Sequence, residues 1–446
     1  MAMRSLRRTP FVSAMMIGAL AVGITTSMIA ITLYHARTGH PIPWKESTLF
    51  AVALDTRDPD PPKGEPRSEY PPLQLTYQDA RALYASDIPL RSVMMYRASQ
   101  VVTPEREGAR PFSVDIRVTT GDFFRAFDVP FIFGSGWSHQ DDDAPAAVVV
   151  LSKPMNDRLF HGANSVGRDV VVGGRSYRVA GVLGAWMPRP KYYDPNEGAF
   201  EVTEDMYLPF GWMKALKLET SGNTSCVSKR AKLSDFDSLL TAECVWMQFW
   251  VEFRRPADRN RYQVFSDNYT ADQRTHGRFP RKNNNRIVDV TTWLKWWDVV
   301  GSESRMQMVL GLVFLGLCIL NTVGLLLAKF LSAAPVAGLR RALGASRLDI
   351  IRQHLIEVIV VGLLGGVAGL VLTLGGLQVL KLWLYTGGLE DTESPDRVAL
   401  ASSLVHMDFS VMVFAIALSL LAGVLAGLYP AIRIGRLAPS TFLKTQ

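Results

Sequence analysis

The chain has 446 residues, 48% of them hydrophobic, and a formal net charge of +7 at neutral pH. That apolar content excludes a disordered chain, and the length allows a sizeable folded domain beside membrane segments. The charge does not point to nucleic acid, because it gathers at the flanks of apolar segments and no arginine- and aromatic-rich run of the base-stacking type appears.

Four segments carry no formal charge and reach the roughly 20 residues that cross a hydrocarbon layer: Thr9 to Tyr34, Met306 to Ala328, Val358 to Leu380 and Phe409 to Ile432. The first reads as a retained span, since its apolar run is too long for a signal peptide and no small-residue cleavage site closes it. Lysine and arginine favour the cytoplasmic side of short flanks. Arg4, Arg7 and Arg8 precede the first span, Arg340, Arg341, Arg347 and Arg352 separate the second from the third, and Arg433, Arg436 and Lys444 follow the fourth. The third-to-fourth connection instead carries Glu390, Asp391, Glu393 and Asp396 against Arg397. Both termini are therefore predicted cytoplasmic, with His35 to about Arg305 outside; the basic inner edge suits anionic membrane lipids.

Within the external segment, β-branched and aromatic residues crowd Leu49–Leu54, Ser92–Tyr96, Ala146–Leu151, Asp169–Val172, Tyr177–Leu183 and Val245–Phe253, which predicts strands. A capping box at Thr76–Asp79 opens a predicted helix through Tyr84, and Pro256–Arg274 has helical composition. The Pro-rich stretch Asp58–Pro72 reads as a loop, as do Met187–Gly198 and Gly222–Asp235. Strand–helix–strand units are expected near 47–120 and 240–292, with a β-rich insertion near 121–215. Cys226 and Cys244 share the oxidising side of the membrane at a spacing one loop can close, so a disulfide is expected, free thiols being the alternative. Cys318 reads as a packing residue of the second span.

Asp141, Asp142 and Asp143 beside His139 lack further partners at ligand spacing, so a solvated turn is expected rather than a metal site. There is no Gly-x-Ser-x-Gly, no His-Glu-x-x-His and no phosphate-cradling Gly-x-x-x-x-Gly-Lys-Ser/Thr. No catalytic group, cofactor or metal is expected. Trp293, Trp296 and Trp297 precede the second span as an interfacial belt would, whereas Trp246, Phe249 and Trp250 read as core.

The basic connection has the richest pattern. Ser346 and Asp349 form a second capping box, Gly338 and Gly344 allow turns before it, and Arg340, Arg341 and Arg347 offer charge. Gly362 with Gly366, Gly365 with Gly369, and Gly423 with Gly427 are small-x-x-x-small pairs suited to close helix packing, within the chain or between chains. Asn321 in the second span should face another helix or a cavity.

Several of these stretches together carry a resemblance. Val118-Thr119-Thr120-Gly121-Asp122-Phe123-Phe124, Val129-Pro130-Phe131, Asn156 to Phe160 with Gly167, and Arg178 to Val182 resemble the external domain of MacB-type ABC permeases. Asn321, Gly338 to Asp349, Gly365-Gly366, Gly369 and Gly427-Leu428-Tyr429-Pro430-Ala431 resemble the FtsX-like permease module. The fold so implied is an α+β membrane protein, with four transmembrane helices and a large mixed α/β extracytoplasmic domain between the first two. Its parts would be residues 1–34, the periplasmic core 35–305, and a permease module 306–446 with spans 306–328, 358–380 and 409–432, a coupling loop 329–357 and an outer loop 381–408.

The resemblance implies a dimerising permease of a bacterial inner membrane that transmits the motion of a separate ABC ATPase, because the first span starts almost at once and leaves no room for a fused one. It further implies efflux or envelope export with a periplasmic adaptor and an outer-membrane channel. A signalling permease controlling cell-wall hydrolases and a lipoprotein-extracting permease are the alternatives. One departure stands out: the family usually places Arg-Glu and an apolar residue before Gly338, where this chain has Pro335, Val336 and Ala337. Proline should alter the loop's shape, and the missing charges are compatible with a heterodimer in which the second permease keeps the acidic residue.

Overall fold

In the computed structural model, described for residues 9–59, 68–104, 108, 110–143, 145–196, 198–226, 233–281, 283–332, 334–386 and part of 413–432, the chain divides into two compact units. One is Gly39–Val299; the other combines Met1–Thr38 with Val300–Gln446.

The strands of Gly39–Val299 are, in chain order, β1 Leu49–Ala53, β2 Arg91–Thr103, β3 Phe112–Thr119, β4 Phe131–Gly134, β5 Val148–Leu151 and β6 Asp169–Val172. They continue with β7 Arg175–Leu183, β8 Met206–Pro209, β9 Ser225–Cys226, β10 Cys244–Val245, β11 Gln248–Glu252 and β12 Arg286–Asp289. Among the described residues ten of them make one mixed sheet, ordered β12-β1-β11-β2-β3-β8-β5-β7-β4, with β6 pairing β2 and β7. The flanking part (β1, β2, β3, β11, β12) brings the helices Tyr77–Tyr84 and Pro256–Thr275. The intervening strands β4 to β8 extend the same sheet through the parallel pair β3–β8, where Val118 lies opposite Leu208.

This sheet is buried on both faces, which explains why its strands read as continuous apolar runs rather than strict alternation. Along β1, Phe50 and Val52 face one core while Leu49 and Ala51 face the other. Along β2, Met94 and Tyr96 oppose Val93 and Met95; on β11, Phe249 and Val251 oppose Trp250. Trp246 and Trp250 are both core residues, serving opposite faces. The second face is unusually aromatic: Phe123 meets Phe127, Tyr193 and Tyr207 at ring separations of 4.9 to 5.7 Å, mostly edge to face, as the ring quadrupoles favour.

Trp293 joins this core and is not an interfacial residue. Asp289 caps the helix Val290–Trp296 by accepting from Thr292 N–H, and the indole is turned inward, 5.7 Å from the Trp250 ring and donating to the Tyr192 carbonyl.

The irregular stretch from Met187 to Asp205 is held on the aromatic face by buried charge. The Arg117 guanidinium on β3 is wholly buried and pairs with both Asp194 and Glu204. Lys191 completes the set at 2.7 Å from Glu204, Tyr193 donates to the same carboxylate at 2.9 Å, and Gln248 donates to Asp194. Two cations face two anions, so the cluster is electrically balanced. Burial by itself would raise Glu204, yet Arg117 and Lys191 hold it well below the usual carboxylate range.

Within the aspartate run, Asp142 departs from the solvated turn expected there. Asp142 is buried and accepts from Gly121 N–H and from Trp137 Nε1–H, both at 2.8 Å. An added Cβ at Gly121 would lie 2.9 Å from the Trp137 carbonyl, so only glycine fits this crossing. Both predicted helix starts are present. Thr76 caps Tyr77–Tyr84, and Asp79 of the same box also receives Arg278 at 2.8 Å and the Tyr269 hydroxyl at 2.7 Å.

Cys226 and Cys244 are bonded, joining the short pair β9–β10. Closing a loop of sequence separation 18 corresponds to about 3 kcal/mol on the chain-entropy estimate, so a Cys226→Ser/Cys244→Ser variant should lose stability of that order in denaturant titrations of the full chain. Peptide mapping without reductant should recover the two as one linked species.

Desolvation pushes Asp142 from 3.8 up to about 6, and Asp122 is raised for the same reason. A carboxyl raised on folding contributes stability below its unfolded value and loses it as pH rises through the folded one. Asp142→Asn replaces one accepting oxygen by an NH2 group at a pH-independent cost, but its Tm should shift upward relative to that of the natural chain as pH rises from about 4 to about 7.

Candidate functional site: the basic connection between membrane-length helices

Among the described residues three helices are long and apolar enough to cross a bilayer: Pro10–His35, Ser304–Ser332 and Arg347–Val379. Each extends past the charge-free segment expected from sequence, because flanking polar residues continue the helix. The fourth expected span, 409–432, is described only in part; Leu421–Pro430 is a shorter apolar helix. Arg4, Arg7, Arg8, most of the 381–408 loop and residues after 432 lie outside the described residues.

The helices pack through small residues. An added Cβ on Gly365 would lie 2.9 Å from Leu20 Cβ, and one on Gly369 3.0 Å from Ile24 Cγ2, so the third helix meets the first at glycine. Thr25 donates to the Gly369 carbonyl and Ser27 to that of Gly311, linking the first helix to both others. Gly423 sits against Gly362, and Gly427 against Val358. Cys318 lies against Gly23 as a packing residue. Asn321 is exposed, on the side of the second helix where Gly324 also has open space.

The connection between the second and third helices is itself largely helical. Residues Ala334–Ala342 form a helix that includes Pro335, which departs from the loop expected there. The reason is position: proline in a first turn sacrifices no intrahelical hydrogen bond and its fixed φ suits the helix. Gly338 consequently lies inside this helix and not in a turn. Gly344, at φ +103°, ends it, with Ala345 N–H donating to the Arg340 carbonyl in the six-to-one bond of a Schellman motif. Ser346 then starts the next helix: it accepts from Asp349 N–H and donates its hydroxyl to the Asp349 carboxylate at 2.7 Å.

The surface so made is basic. Arg340 and Arg347 are exposed, and Arg340 donates to Gln353 at 2.8 Å, tying the short helix to the third long one. The Arg341 side chain lies outside the described residues.

One polar group escaped the sequence reading. Lys329, His354 and Glu357 are buried together where the first three helices meet, with Lys329 2.5 Å from Glu357. The available signal is positional: Lys329 directly follows one charge-free apolar run and Glu357 directly precedes the next.

In Gly39–Val299, the motifs that carried the resemblance are structural. Asn156 is buried, donating to the Ala163 carbonyl and accepting from Ser165, which staples the turn at His161 (φ 55°). Phe123 and Phe124 fill the aromatic core. No group of three His, Cys, Asp or Glu side chains among the described residues could hold a metal ion.

The chain thus combines membrane-length helices and a capped, basic connection between two of them with a large mixed α/β domain. The chain belongs to the MacB-like periplasmic core domain family, whose sequence pattern matches residues 12–262, and residues 308–439 match the FtsX-like permease C-terminal family. It is 23% identical over 379 residues to the pyoverdine export ATP-binding/permease protein PvdT of Pseudomonas aeruginosa, covering 84% of this chain and 48% of that protein. It is 26% identical to the macrolide export ATP-binding/permease protein MacB of Escherichia coli (72% and 42% covered) and 23% identical to the ABC transporter permease YknZ of Bacillus subtilis (70% and 65%). The chain thus spans about half the length of the first of these relatives. Among solved structures, the periplasmic region of MacB from Actinobacillus actinomycetemcomitans aligns with TM-score 0.37 and 14% identity, over 58% of this chain and 96% of that one.

Gly344→Ala should destabilise the connection by about 1 kcal/mol or more, because alanine is strained at positive φ, whereas Gly344→Asn should be better tolerated. Thermal unfolding of the full chain in detergent checks the ranking.

Proposed function

We propose that this chain is the permease subunit of an ABC-type complex in a bacterial inner membrane, with both termini cytoplasmic, passing ATPase-driven motion to its periplasmic domain for efflux or envelope export. The observation that carries this reading is the capped, arginine-bearing helix Ala334–Ala342, displayed between two membrane-length helices in a chain of the MacB and FtsX-like families. Gly338, Arg340, Arg341, Gly344 and Arg347 would form the contact with an ATPase carried on a separate chain. Exposed guanidinium groups suit an acidic partner surface.

A second permease is part of the proposal. Asn321 exposed in mid-span is costly against lipid, and open space at Gly324 on the same side lets another helix approach closely. Homodimer and heterodimer are separated by co-expressing two differently tagged copies without other permeases. A periplasmic adaptor and an outer-membrane channel would complete an export pathway.

Replacing Arg340, Arg341 and Arg347 together by Glu should reduce co-purification of the ATPase subunit at least tenfold, about 1.4 kcal/mol, by reversing charge at the contact. Unchanged recovery and unchanged ATP turnover of the complex would sink the interface.

A further inference from the structure

The Lys329–Glu357 pair sits immediately beside the proposed ATPase contact. Lys329 lies near the end of the second long helix, just before Ala334–Ala342, and Glu357 lies about three turns into the third. Lys329 Nζ is 2.5 Å from Glu357 Oε1 and donates to Ser13 on the first helix at 3.3 Å. His354 covers the pair, its Nδ1 3.8 Å from Glu357 and its ring 4.2 Å from that of Phe330. Lys329 and His354 are each 8% exposed and Glu357 is 2% exposed.

We propose that Lys329, Glu357 and Ser13 form a polar joint that makes the first three helices answer together when the Ala334–Ala342 helix is pushed. This rests on the permease reading above and identifies the residues that perform its transmission step. Two anchors bracket the short helix, Arg340 to Gln353 at its far end and Lys329 to Glu357 at its near end. A displacement of that helix therefore cannot move the second long helix without the third, and Ser13 adds the first. Separating the pair would strand a charge away from water, whereas apolar side chains of similar volume pack there and slide. Stability alone does not require ions at this place, since apolar replacement of a buried pair is often neutral or stabilising. Directional stiffness does require them. Lys329, Glu357 and Ser13 are positioning residues and touch no substrate.

The test uses the full chain with its co-purifying ATPase, in a Cys318→Ser background, with maleimide labelling of two reporters. Leu343→Cys, exposed beside the contact, reports docking of the ATPase. Val309→Cys, exposed on the second helix roughly 30 Å along it from Lys329 at 1.5 Å rise per residue, reports transmission. In the natural chain, trapping with ATP and vanadate should change Val309→Cys labelling by roughly fivefold or more. Lys329→Met with Glu357→Met should keep the fold, by unchanged Tm, and keep protection of Leu343→Cys, but abolish the change at Val309→Cys. The exchanged pair Lys329→Glu with Glu357→Lys should restore it. An apolar pair that still transmits overturns the joint. Protection at Leu343→Cys with no change at Val309→Cys in the natural chain overturns transmission and the joint with it, and no protection at all overturns the ATPase contact on which both depend.

Discussion

A charge that cannot reach water has to be matched by protein, and in this chain that requirement decides where irregular backbone and helix ends must go. Arg117 is wholly buried in a sheet covered on both faces, so its partners must be brought to it. The segment from Met187 to Asp205 supplies Lys191, Asp194 and Glu204 and is thereby fixed over the aromatic face. In the membrane-helix unit the same requirement joins Lys329 to Glu357, and with them the ends of helices that otherwise share an apolar core. Removing one partner from either set would leave a buried charge uncompensated, typically a cost of about 3–5 kcal/mol.

The two units use different means for the rest of their stability. Gly39–Val299 buries large aromatic side chains against a sheet and interlocks them at 5 to 6 Å, so its shape is set by side-chain volume. The long helices instead approach through glycine, because apolar burial gives no advantage between helices already surrounded by lipid and close packing must supply the attraction. Gly365, Gly369 and Gly423 fill that need within the chain. Asn321 and Gly324, on the exposed side of the second helix, have no such neighbour among the described residues. That contrast separates contacts made inside the subunit from the face proposed for a second one.

The family motifs divide along the same line. In the external domain, Gly121, Asn156 and the Phe123–Phe124 pair hold turns and fill the core, so they mark the fold without naming a ligand. Between the helices, Gly344 and the Ser346–Asp349 box shape a surface that has no comparable packing purpose, since Arg340 and Arg347 stay exposed. Pro335 lies within the Ala334–Ala342 helix and leaves it intact.

Some of this was determined by sequence alone, for a physical reason. Capping boxes at Thr76 and Ser346, membrane-length apolar runs and β-rich stretches are local features, and local backbone hydrogen bonding and solvent preference act over a few residues. The strand runs at 49–54, 169–172 and 177–183 were legible in this way, as was the core placement of Trp246 and Trp250. Only the tertiary structure decided that strands β4 to β8 continue the flanking sheet, that Asp142 is buried beneath Trp137, that Trp293 turns inward, and that Lys329 meets Glu357. Each depends on which distant residue arrives opposite, and for a charged side chain the same letter serves equally as a solvated flank or as half of a buried pair until its partner is in place.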